Sequence, residues 1–175
     1  MIDQHGEWTK ELQTHDYGVG HYWPGGDHGC ELIQTEICTL VPMFEWTKIY
    51  FTAANYDTDG FFDTAIPGCL ILPAPGFYVC TACIGWPGTG HVSTNLEVEI
   101  RSAIWGPIAY DIGHPPSSGG DKFMNTFGQA PLEQGEEIGV YVKSGSAIST
   151  LINEGDLLCP KLTIQWIKNF YGYVP

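Results

Sequence analysis

The segment Asp57-Thr58-Asp59-Gly60 opens like a calcium loop. Carboxylates at alternate positions ahead of a glycine offer oxygen ligands to a hard cation. The rest of the pattern departs from that chemistry. Gly60 stands at the fourth place of the loop, where the motif has its glycine at the sixth, and the twelfth place, reserved for a bidentate glutamate, is Gly68. The expectation is a turn, because Asp bonds its own backbone and Gly accepts positive φ. Cys80-Thr81-Ala82-Cys83 has the spacing of a zinc or redox pair. On a strand, residues three apart point to opposite faces, so two separate thiols are expected.

His21, Asp27 and His28 lie near Cys30, a donor set that suits a transition metal, and His91 and His114 fall in loop-like sequence. The alternative is a Gly-rich segment with exposed imidazoles. There is no G-x-S-x-G nucleophile elbow. Glu97 and Glu99 share a face that alternation assigns to solvent, and Glu133, Glu136 and Glu137 sit in a turn-like run. Nothing selects a carboxylate pair for hydrolysis. The expectation is a protein that is not an enzyme, with no catalytic residue, metal or cofactor.

The elements carrying these residues are strands. The 175 residues include 22 Gly and 12 Pro, which break helices, and many β-branched and aromatic residues. Leu96, Val98 and Ile100 alternate with Glu97, Glu99 and Arg101; Ile138, Val140 and Val142 share a face; Leu162, Ile164 and Trp166 alternate with Lys161, Thr163 and Gln165. Gly76 to Trp86 reads as one long strand after Pro73 and Pro75, and Phe44 to Ala53 as another. Seven or eight short strands separated by turns make an all-β sandwich or barrel. Residues 1–43 read as a mostly irregular N-terminal arm, and 44–175 as the domain. The arm's Trp8, Tyr22 and Trp23 need a surface to cover them, which makes them candidate contacts with a neighbour.

Charge narrows the partners. A net charge of −13 with seven Lys and Arg repels nucleic acid. No apolar run approaches the roughly 20 residues of a membrane-crossing helix, and no basic-then-apolar leader is seen, so synthesis in a reducing cytosol and six free thiols are expected.

Phe51, Asp57 and Phe62 stand at the spacing of an aromatic signature, and Gly76 and Tyr78 continue it. On these residues the chain resembles the jelly roll of complement-type globular heads and tumour-necrosis-factor-like proteins. The run PLEQGEEIGVYVKSG and the final LTIQWI also resemble that family. The sequence departs from it at Cys69 or Leu70, where a Phe belongs, at Cys80 and Ala82, where aromatics belong, and by one extra residue between the two halves. The likeness spans about 44–167. It implies an antiparallel jelly-roll sandwich with Phe51, Phe62 and Tyr78 in its core, and a homotrimer whose axis is lined by apolar side chains of one sheet.

Among such heads, virion proteins of tailed bacteriophages are the most similar in style. The implied function is a trimeric capsid decoration (cement) protein on the capsid exterior, its arm on the major capsid protein or a neighbouring virion protein. The alternative is a receptor- or glycan-binding tip of a head or tail fibre, with Trp86, Trp105 and Tyr110 stacking on sugars.

Overall fold

The computed structural model describes residues 28–35, 38–88, 95–114, 120–150 and 160–168. The expectations for Trp8, Tyr22, Trp23, His21, Asp27 and His91 fall outside them. The described residues form strands and turns and no helix. In chain order the strands are β1 (Gly29–Ile33), β2 (Leu40–Val41), β3 (Thr47–Lys48), β4 (Ala53–Asp57), β5 (Leu70–Ile71), β6 (Gly76–Trp86), β7 (Leu96–Ser102), β8 (Gly106–Gly113), β9 (Lys122–Leu132), β10 (Glu137–Ser144), β11 (Ile148–Ser149) and β12 (Lys161–Lys168).

Sheet one runs β4-β1-β12-β6-β9, and sheet two runs β3-β10-β7-β8 with β5 also on β10. The strand pairs within both are antiparallel. The fold is an all-β jelly-roll sandwich. Its core follows from alternation. Tyr78, Cys80, Ala82, Ile84 and Trp86 of β6 and Leu162 and Ile164 of β12 meet Leu96, Val98 and Ile100 of β7 and Ile138, Val140 and Val142 of β10. Each large apolar side chain removed from water contributes roughly 1.5–3 kcal/mol.

The described jelly roll begins upstream of residue 44. β1, placed by sequence in an irregular arm, pairs with β12 on one side and β4 on the other, and Cys30 and Leu32 are wholly buried. Nor is Phe44–Ala53 one strand. The Ile49 N–H donates to Val140 O of sheet two, and the Thr52 N–H to Ile33 O of sheet one. The chain crosses between sheets there, and the strand pairing breaks between Lys48 and Ala53.

Among the strands that escaped the sequence reading, β8 and β9 did so because their alternation is inverted. β9 turns Thr126 and Gly128 inward and Phe123 and Phe127 outward. Gly128 is required by close approach: a Cβ there would sit 2.7 Å from Ile108 O and 2.9 Å from the Ala109 Cβ. That contact lets β8 of sheet two close against β9 of sheet one.

Candidate interaction surfaces

The Asp57 turn is built from backbone donors. Asp57 Oδ1 accepts the N–H of Gly60 and of Phe61, each at 2.9 Å, and Oδ2 accepts that of Phe62 at 2.9 Å. Gly60 takes φ 76°, the left-handed region that favours glycine. Asp59 Oδ2 lies 2.9 Å from His28 Nδ1 and accepts the Thr58 hydroxyl at 2.5 Å. Both carboxylates are thus engaged in closing the turn and holding the start of β1.

That turn decides which phenylalanine enters the core. Phe51 and Tyr78 are buried as the signature implies, but Phe61, not Phe62, is the wholly buried ring, and Phe62 packs only partly against the core. Phe61 meets Tyr78 edge-on, with centroids 6.4 Å apart. The Tyr78 hydroxyl donates to Ala74 O at 2.6 Å. Gly76 is the buried first residue of β6 and does not take positive φ.

The thiols separate as strand geometry requires. Cys80 is in the core and Cys83 faces outward, half-buried. Burial, helped by the Glu136 charge, pushes the Cys80 thiol up to about 12. Burial first, then Asp57 and Glu31, pushes Cys30 up to about 12 as well. Such thiols stay protonated and are poor ligands and nucleophiles at neutral pH. Cys30, Cys38, Cys69, Cys80 and Cys83 are all free.

Two glutamates are buried, Glu99 on the outer face where alternation placed it and Glu136 in the turn where the sequence placed it. Glu99 is only 5% exposed, because Arg101 folds back to place its Nε 2.5 Å from Glu99 Oε1. Glu136 is buried at the turn before β10. Its Oε1 accepts the Ser102 hydroxyl, and its Oε2 accepts the Glu133 N–H at 2.9 Å. Ser102 Oγ in turn accepts the N–H of Ile104 and Trp105, which shapes the β7–β8 hairpin.

The outer face of sheet one is mostly apolar on its β6–β9 side. Phe77, Val79, Thr81 and Cys83 of β6 and Phe123, Asn125, Phe127 and Gln129 of β9 point outward, and none is charged. Phe127 is 63% exposed, and Ile167 of β12 is exposed beside this half of the sheet. Toward β1 the face turns polar. Glu31 accepts from Asn55 Nδ2 at 2.6 Å and Thr163 Oγ1 at 3.2 Å, and Lys161 Nζ lies 3.6 Å away. A depression of about 260 Å³ opens on the β6–β9 half next to β12, lined by Thr81, Cys83, Asn125, Phe127, Lys161 and Thr163 among others.

The outer face of sheet two is different in kind. Glu97 binds Lys143 Nζ at 3.1 Å and the Tyr110 hydroxyl at 2.9 Å. Arg101 lies over the rings of Tyr141 at 4.5 Å and Trp46 at 5.7 Å, and Lys143 lies over Trp46 at 5.4 Å. Of the three rings expected to stack on sugars, Trp86 is excluded, since it fills the core. Trp105 is 66% exposed at the hairpin tip, and Tyr110 is 50% exposed on the sheet face. Sequence reasoning missed Trp46, which meets Tyr110 edge-on at 6.4 Å. Only the fold shows that a residue ahead of β3 lies across three other strands.

No family model and no curated protein matches the chain. Among solved structures it is similar to murine APRIL at pH 8.0, with 12% identity and a TM-score of 0.62 over 81% of this chain and 100% of that one. It is similar to murine APRIL at pH 5.0, with 13% identity and a TM-score of 0.60 over the same shares. The globular domain of zebrafish complement 1qA protein gives 12% identity and a TM-score of 0.57 over 82% of this chain and 99% of that one. At such identities the likeness is one of fold, and the fold is the jelly roll that tumour-necrosis-factor-like and complement-type heads share.

Proposed function

We propose that the chain is a homotrimeric structural protein without enzymatic activity, closed through the outer face of sheet one. The supporting observation is the β6–β9 half of that face: ordered strands, outward Phe123 and Phe127, and uncharged neighbours. A monomer gains nothing by ordering such rings toward water, and contiguous exposed apolar surface marks an interface. The polar Glu31–Lys161 side forms its rim.

The specific role proposed is capsid decoration on the exterior of a tailed-phage virion. The support is the head's resemblance to such virion proteins and an aromatic N-terminal segment carrying Trp8, Tyr22 and Trp23. Those residues would contact the major capsid protein or a neighbouring virion protein, without nucleic acid or membrane as partner. A receptor- or glycan-binding tip is the second reading, favoured by the exposed rings on sheet two. The deciding experiment is a cryo-EM map of the source particle with this chain located in it. Copies at the threefold lattice sites are expected. A few copies at the end of a tail or fibre would overturn decoration in favour of the tip.

A further inference from the structure

The outer face of sheet two holds a cluster that trimer closure through sheet one leaves unused. Trp46, 36% exposed, and Tyr110, 50% exposed, meet edge-on at 65° with part of each ring open to solvent. Around them stand two carboxylates, Glu97 and Glu99, and two cations, Arg101 and Lys143, each paired with its opposite. We propose that this cluster binds a neutral saccharide, with a sugar ring against Trp46 and Tyr110 and its hydroxyls on Glu97, Arg101 and Lys143.

Three observations select that chemistry. The first is balance. Two negative and two positive groups cancel, in a chain whose net charge is −13. An anionic ligand meets repulsion from the rest of the surface, and Arg101 and Lys143 are already neutralised. The second is the mix of donors and acceptors. Arg101 spends its Nε on Glu99, while its terminal nitrogens keep their N–H donors, with no acceptor among the described residues. Glu97 takes one bond on each oxygen and keeps lone pairs. A phosphate or carboxylate only accepts and an ammonium only donates, whereas a hydroxyl does both and matches such a fringe.

The third observation is preorganisation. Cations on Trp46, the Glu97 bond on Tyr110 and the Glu99 bond on Arg101 hold these long side chains before any ligand arrives. Ordering cost is thereby removed from binding, which favours a small, weakly held ligand such as a sugar. Flat aromatic surface beside a few fixed polar groups is the composition of small-ligand sites.

The proposal sharpens the glycan-tip reading and uses one chain's residues, so it stands or falls apart from the trimer. The test is isothermal titration of the full chain with neutral gluco-, galacto- and manno-configured oligosaccharides and with uronate-containing counterparts of equal length. Binding of a neutral oligosaccharide is expected, weakened about tenfold or more by Trp46→Ala, several-fold by Tyr110→Ala, and unchanged by Trp105→Ala. No neutral binding up to about 10 mM would overturn the site, as would preference for uronates or an affinity indifferent to Trp46→Ala. If Trp46→Ala loses its cooperative melt, Tyr110→Ala carries the decision by the same criterion. Saccharide binding by a trimer that is not on a capsid would uphold this site and reject decoration.

Discussion

Sheets one and two bury apolar faces against each other, yet their outer faces follow opposite rules. On the β6–β9 half of sheet one the outward side chains are uncharged and include Phe123 and Phe127. On β7 and β10 of sheet two they include Glu97, Glu99, Arg101 and Lys143, bonded to one another beneath Trp46 and Tyr110. On the reading proposed above, the first face is completed by another copy of the chain, and the rings of the second are held for a ligand. Alternation alone makes both faces outward; only the identity of the outward residues separates an interface from a platform.

Substitutions that break one face and spare the other sharpen this contrast. The largest effect is expected from Phe127→Glu, which puts a charge at the middle of the β9 face. The assembly should fall apart to single chains by light scattering, while the melting of each chain stays cooperative. The matching change on sheet two, Tyr110→Phe, should leave assembly intact.

Asp57→Ala comes next and strikes the scaffold beneath both faces. It removes the acceptor for three N–H groups at 2.9 Å and should cost about 3 kcal/mol in denaturant unfolding. Arg101→Ala leaves the Glu99 carboxylate, 5% exposed, without its partner. Because Arg101 is itself partly exposed, the expected loss is about 2 kcal/mol, smaller than for a fully buried pair. Arg101→Lys should recover part of it, since Lys keeps the charge but not the planar fork.

The smallest effect belongs to the core between the faces. Cys30 and Cys80 have folded pKa values raised from 9.0 to about 12. Their contribution to stability is intact below pH 9 and is lost as pH rises from 9 toward 12, because the unfolded chain gives up those protons first. Between pH 9 and 10 each thiol should cost about 1 kcal/mol. Urea melts of the wild type and of a Cys30→Ala/Cys80→Ala double variant should differ in slope against pH there and run parallel at pH 6–8.

Much of the fold was legible because β7, β10 and β12 alternate large apolar side chains with polar ones, and β6 is a long run of β-forming residues opened by Pro75 and Gly76. β8 and β9 were not legible, since their outward aromatics and inward Thr126 and Gly128 invert the pattern. β1 was hidden by its Gly- and His-rich surroundings, and its place between β4 and β12 rests on pairings distant in sequence. The Asp57 turn was readable from local chemistry. The choice of Phe61 over Phe62 was not, because it depends on how three N–H groups wrap one carboxylate. The sheet-two cluster was out of reach for a different reason. Its members come from β7, β8, β10 and the segment before β3, and no spacing along the chain brings Trp46 to Lys143.

The trimer is tested most directly by multi-angle light scattering of the purified chain. Three times the 19.3 kDa chain mass is predicted, held across dilution into the low micromolar range. A stable species at 19.3 kDa would contradict it.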